Sequence, residues 1–253
     1  MIGSKAMLEG VLFDIDDTLV DTRGAFAHTM GVLSAHFLPA LAPERHPEVL
    51  DLWRRDPNGH YRAYTRGEVS ARDQRKARAN ELQATFGGKH FDDAGFDQWN
   101  EVFQAAFRDG WRAFSDAAPA IAALRQAGIA VGALSNAPRA MQLDKLAQTG
   151  LGDVEVLVTL DTFGVGKPDP RVFLEACRLL GTDPQRTAYV GDELDIDARG
   201  AAAVGMTGVW LDRPGTRRGG VHLEDVSVAT SEGLHVVESL ALVPEVLGVP
   251  VSV

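Results

Sequence analysis

Gly10-Val11-Leu12-Phe13-Asp14-Ile15-Asp16-Asp17-Thr18 is a short apolar run that ends in an acidic cluster. The apolar part reads as a buried strand, and Asp14 and Asp16 sit two positions apart at its carboxyl end. Two carboxylates this close repel each other unless a cation joins them. A divalent metal ion, with a phosphoryl group arriving as its complex, supplies that cation.

Working outward, the same pattern returns. Apolar runs at 130–134, 154–160, 187–190 and 207–211 alternate with helical spacing at 120–126, 139–148 and 170–180. Asp169 followed by Pro170 predicts a helix start, and Gly181 predicts its end. Strands alternating with helices of this length predict parallel βαβ units and an α/β fold with a doubly wound sheet. Ligands of such sheets collect beyond the carboxyl ends of the strands. Polar residues stand at those ends or nearby: Ser135-Asn136, Lys167-Pro168, and Gly191-Asp192 with Asp197.

Residues 22–111 interrupt this alternation. Phe26, Met30, Leu33 and Phe37 fall at helical spacing, as do Phe96, Trp99, Phe103 and Phe107, and Ser70 with Asp73 reads as a capping pair. These residues are expected to form an inserted α-helical domain, with a core made of 1–21 and 112–253. The aromatic stripes are expected to be interior packing. Near the end of the chain, 226–229 reads as a last strand, 234–240 as a helix, and Pro250 with its flanking valines as edge structure.

Composition sets limits. The chain has 253 residues, 45% of them hydrophobic and 24% charged, which suits a folded globular protein. A net charge of −10 argues against a nucleic-acid surface built on overall charge, though not against local phosphate chemistry. The single cysteine, Cys177, excludes an intramolecular disulfide and suits a reducing compartment. No apolar stretch is long enough to span a membrane, and residues 1–8 lack the pattern of a secretory signal. A cytoplasmic protein, monomeric or homodimeric, is the expectation.

The polar tips suggest a reaction. Asp14 reads as a nucleophile toward phosphorus, and Asp16 as the acid that protonates the leaving oxygen and then the base that activates water. Asp192 follows the 187–190 run, where Gly191 lets the backbone turn closely. Hard carboxylate oxygens select Mg²⁺, so Asp14, Asp192 and the backbone carbonyl of Asp16 are candidate metal ligands. Asp197 would hold a metal-bound water or orient Lys167, while Asp195 reads as a helix cap. Lys167 would neutralise phosphoryl oxygens and carboxylates together. Ser135, with the backbone of Asn136 and Ala137, forms a candidate phosphate cradle. A serine nucleophile is the weaker alternative, because the chain lacks the glycines of a nucleophile elbow and an evident histidine base.

Asp14-Ile15-Asp16-Asp17-Thr18-Leu19, Ser135, Lys167-Pro168-Asp169 and Gly191-Asp192 with Asp197 together resemble the haloacid dehalogenase-like hydrolase superfamily. The resemblance covers four motifs in order. It implies a Rossmann-like core, a helical cap inserted after the first strand, Mg²⁺ dependence and a phosphoaspartyl intermediate. Dehalogenating members lack the second aspartate of the first motif, so Asp16 makes this chain similar to the phosphatases. Ile196 is a departure, since many relatives carry a polar residue there.

The expected partner is a small phosphorylated metabolite, with specificity set in the cap. His60-Tyr61-Arg62-Ala63-Tyr64-Thr65-Arg66, Arg23 and His28 are weak candidates there, and a solvated helix face is the simpler reading of 60–66. Two rivals share the fold: a sugar-phosphate mutase and a catalytically idle binding or regulatory protein.

Overall fold

The computed structural model describes residues 7–154, 156–217 and 224–250. The chain forms two compact units, one from Met1–Asp21 with Arg112–Val253 and the other from Thr22–Trp111.

β1 (Gly10–Phe13) is buried along its whole length. The chain then enters the helical unit: α1 (Thr22–Phe37), α2 (His46–Arg55), α3 (His60–Thr65), α4 (Ala71–Phe86) and α5 (Asp93–Asp109). On its return come α6 (Ala117–Gln126), β2 (Ala130–Leu134), α7 (Arg139–Gln148), β3 (Val156–Val158), α8 (Leu160–Phe163) and α9 (Pro170–Leu180). β4 (Thr187–Gly191), a π-helical turn (Leu194–Arg199), α10 (Gly200–Ala202), β5 (Thr207–Leu211), α11 (Val226–Ser231), β6 (His235–Val237) and α12 (Val243–Val246) complete the core.

The six strands form one sheet in the order β3-β2-β1-β4-β5-β6. Every pairing is parallel. A parallel sheet needs a crossover between successive strands, and helices supply it. The strand order reverses at β1, which has β2 on one side and β4 on the other, and the carboxyl ends of β1 and β4 mark the switch point at which sheets of this kind hold ligands.

Leu12, Leu134, Val158 and Tyr189 of the sheet pack with Val172, Phe173, Ala176 and Cys177 of α9. Each such fully buried large apolar side chain contributes about 1.5–3 kcal/mol relative to exposure. α9 starts and stops as its sequence dictates. The Asp169 side chain accepts the Arg171 N–H, Pro170 occupies the first turn, and Gly181 takes a left-handed φ of 76° just past the end.

The helical unit has its own interior. Phe96, Trp99, Phe103 and Phe107 of α5 are all buried. Phe107 meets Phe26 of α1 with ring centroids 4.6 Å apart, and Trp99 stacks on Phe103 at 5.3 Å. Ser70 caps α4 by accepting the Asp73 N–H. Tyr61 and Tyr64 of the 60–66 segment are exposed, and His28 pairs with Asp109 at 3.1 Å.

The end of the chain differs from expectation. Residues 226–229 belong to a helix, because the Asp225 side chain accepts the N–H groups of Ser227 and Val228 and so caps α11. Residues 235–237, expected within a helix, form β6 and pair with β5 from Val209↔His235 to Leu211↔Val237. Gly233, at φ 84°, ends the preceding helix. A local cap and stop thus outweigh the β-propensity of Val226 and Val228. β3 is also shorter than the apolar run 154–160, since Val154 closes a turn onto Leu151 and Thr159 already starts α8. The expectations for residues 1–6 and for Val251 beside Pro250 lie outside the described residues.

Among the described residues no helix is long and apolar enough to cross a membrane.

Candidate active site

β1 and β4 deliver the first two acidic groups. The Asp14 N–H donates to the Val190 carbonyl at 2.9 Å, which extends the sheet by one residue and fixes where its side chain emerges. After Asp14 the chain turns sharply. Asp17 adopts a φ of 61°, Leu19 and Val20 both donate to the Ile15 carbonyl, and Asp17 donates to Val20. Aspartate tolerates this left-handed conformation better than most residues.

Asp192 follows β4, and the π-helical turn brings Asp197 back over the strand end. Carboxylate oxygens of Asp14, Asp192 and Asp197 lie within 4.8 Å of one another, and all three residues are buried. Gly191 makes room for this, because a Cβ there would sit 2.2 Å from Asp197 Oδ2. One Asp197 oxygen accepts the Glu193 N–H at 3.0 Å and the other accepts Lys167 Nζ at 2.7 Å. Asp195, read from sequence as a cap, pairs with Arg199. Asp197 receives the Glu193 backbone N–H at the start of this turn.

Lys167 Nζ also lies 2.8 Å from Asp14 Oδ1 and donates to the Tyr189 hydroxyl at 2.7 Å. Tyr189 in turn donates to the Leu134 carbonyl at 2.8 Å. The backbone of Lys167 is held from the other side. The Asn136 amide accepts the Lys167 N–H at 2.6 Å and donates to its carbonyl at 2.9 Å. A Cβ at Gly166 would fall 2.2 Å from Asn136 Oδ1, so glycine is required for that clasp. The Lys167-Pro168 peptide bond is cis.

The electrostatics follow from burial. Burial lifts the Asp14 carboxyl to about 7, opposed by Lys167 and aided by Asp197 and Asp16. Burial alone would push the Lys167 ammonium down, but Asp14 and Asp197 outweigh it and hold the group well above its ordinary value. Burial likewise raises the Tyr189 phenol, which therefore stays a neutral hydroxyl at physiological pH.

Asp16 and Ser135 meet a different set of donors. Gln142 Nε2 donates to Asp16 Oδ2 at 2.6 Å and to Ser135 Oγ at 2.8 Å, and Lys145 Nζ donates to Asp16 Oδ1. The Ala137 N–H, expected to face a ligand, donates to Ser135 Oγ at 3.3 Å. The structure therefore joins Asp14, Lys167, Asp192 and Asp197 directly, and it links Asp16 to Ser135 through Gln142.

Tyr189, Gln142 and Lys145 were not legible as site residues. A tyrosine in a buried strand reads as core. On α7 the apolar pattern points to Leu143 as the inner face, yet Leu143 is 42% exposed while Gln142 and Lys145 are buried. The available signal is their spacing of three, which places an amide and an ammonium on one helix face.

The donor set suits a hard divalent cation. Three buried carboxylates offer oxygen ligands, and a cation among them would relieve their mutual repulsion.

A family model for haloacid dehalogenase-like hydrolases matches residues 8–205, and the chain belongs to that family of hydrolases. It is 38% identical over 102 residues to the glyceraldehyde 3-phosphate phosphatase of Methanopyrus kandleri, a match covering 40% of this chain and 43% of that protein. The chain thus spans under half the length of this relative. The protein of the same name from Methanothermobacter thermautotrophicus is 27% identical over 226 residues, 86% of this chain and 92% of its own length. Among solved structures, the HAD-hydrolase YfnB of Bacillus subtilis bound to magnesium superposes with a TM-score of 0.71 at 19% identity, covering 96% of this chain and 100% of that one. That likeness is one of fold.

Proposed function

We propose that the protein is a Mg²⁺-dependent phosphatase that hydrolyses a small phosphomonoester through a phosphoaspartyl intermediate on Asp14. The observation that carries this reading is Lys167 Nζ, shared between Asp14 and Asp197 beside Asp192 at the reversal of strand order. The phosphatase names of the relatives support it.

Asp14, Asp192 and the carbonyl of Asp16 would hold the metal, which supplies positive charge to the phosphoryl oxygens and to Asp14. Lys167 neutralises a second phosphoryl oxygen, and Ser135 donates its hydroxyl to a third. The Asp14 carboxylate attacks phosphorus, the bond to the ester oxygen breaks, and Asp16 donates a proton to the departing alkoxide. Asp16 then takes a proton from water as that water attacks the phosphoaspartate. Inorganic phosphate leaves and both carboxyl groups return to their starting states. Asp197 and Tyr189 keep the Lys167 ammonium in place throughout, while Asn136 fixes the backbone beneath it.

The test is inorganic phosphate release from a panel of phosphometabolites and an aryl phosphate, with Mg²⁺ and with EDTA. Release is expected only with the metal, and Asp14→Asn should lower kcat by at least ~10³-fold, on the scale of removing a nucleophile. Equal rates for Asp14→Asn and parent would overturn the assignment.

A further inference from the structure

α7 carries no residue of the recognised motifs, yet it sends two polar side chains into the site. Lys145 is one of the largest fully buried side chains of the protein, at 1% exposure, and Gln142 is at 0%. Burying an ammonium costs several kcal/mol unless a partner and hydrogen bonds offset it. Here the partner is Asp16: Lys145 Nζ donates to Oδ1 and Gln142 Nε2 donates to Oδ2. Both oxygens of one carboxylate are therefore addressed from a single helix. The same Gln142 amide nitrogen donates to Ser135 Oγ, so one side chain ties this carboxylate to the hydroxyl of the phosphate cradle.

α7 turns Gln142, Lys145 and Leu146 inward, while Leu143 faces out at 42% exposure. A helix that buries an amide and an ammonium while leaving a leucine exposed gives up apolar burial, and the acidic side chain they share is the compensation.

We infer that Gln142 and Lys145 are positioning residues that set the orientation of the Asp16 carboxyl for proton transfer to and from the reacting oxygens. This rests on the proposed phosphatase reading, in which Asp16 is the acid and base. A carboxyl side chain has two free torsions, and a proton donor must lie within hydrogen-bond reach of the leaving oxygen. Two donors on two oxygens restrict both torsions, and the link to Ser135 sets the carboxyl relative to the bound phosphoryl group.

The consequence is a dependence on leaving group. An alkyl phosphate needs a proton on its departing oxygen, whereas an activated aryl phosphate departs readily without one. The experiment measures kcat/KM for both ester types in the parent, Lys145→Met, Gln142→Leu and Asp16→Asn, with thermal melts of each. In Lys145→Met and Gln142→Leu the alkyl-to-aryl ratio should fall by about tenfold or more, part of the ~10²–10⁴ available from a positioned acid. Asp16→Asn should lower the same ratio further. If Lys145→Met does not fold, Gln142→Leu carries the test alone. Uniform losses on both esters, or no loss, in a folded variant would overturn the positioning role and indicate packing or phosphate binding. An unchanged ratio in Asp16→Asn would instead overturn the acid–base assignment, and a parent inactive on both esters would overturn the phosphatase reading itself.

Discussion

Asp14 and Lys167 hold opposite charges 2.8 Å apart in a buried setting, and what each can do depends on the other. Burial raises the metal-free Asp14 carboxyl to about 7, while in an unfolded chain an aspartate titrates near ~3.9. The folded state therefore keeps an extra proton between those values. The stability this group contributes is fully present below the ordinary carboxylate range and is lost as pH rises through about 7. In EDTA, the urea midpoint of the parent should fall from about pH 5 to about pH 8, and Asp14→Asn should show a shallower fall. Identical slopes would contradict a raised Asp14. Asp14 and Asp192 were legible because each follows the end of an apolar run, where a charged group has little structural reason to be, and Lys167 and Asp197 through the acidic groups beside which they would act. Tyr189, Gln142 and Lys145 were not, since sequence shows neither that Tyr189 turns its hydroxyl toward Lys167 nor which face of α7 is inward.

β4 works as a single element with two uses. Its side chains pack the core, and one of its two hydroxyl-bearing members, Tyr189, bridges Lys167 Nζ and the Leu134 carbonyl. Tyr189→Phe keeps the ring against Phe173, whose centroid lies 5.2 Å away, and removes only the bridge. Leaving a buried carbonyl and an ammonium each short of one partner should cost about 1–3 kcal/mol in urea denaturation. It should also lower kcat more than it changes KM, because Lys167 loses a group that fixes its tip. An unchanged kcat would show that Asp14 and Asp197 suffice to place the lysine. At this scale the parallel alternation was readable from short apolar runs and caps. The exceptions were α11 and β6, where Asp225 and Gly233 decide the outcome over propensity and the run of valines misleads.

The helical unit enters and leaves the core at a single point. The Asp21 N–H donates to the Arg112 carbonyl at 2.9 Å, Phe114 donates to Leu19 at 3.0 Å, and Val20 bridges Ala113 in antiparallel fashion. Ends this close can be joined by a short linker with a small loop-closure cost. Replacing 22–111 with a Gly/Ser loop should leave a core that melts cooperatively and binds Mg²⁺ by calorimetry; a molten product would show that the core requires the helical residues. The proposed chemistry is most directly tested by trapping the phosphoaspartate that it requires. A radiolabelled aryl phosphate should be mixed with the parent enzyme and Mg²⁺, quenched within a turnover and reduced with borohydride, and the peptides sequenced by mass spectrometry. Reduction of the Asp14 side chain to the alcohol, absent without substrate, is the expected result. Full phosphate release with Asp14 unmodified at every quench time, or with the label on Ser135 or another residue, would contradict it.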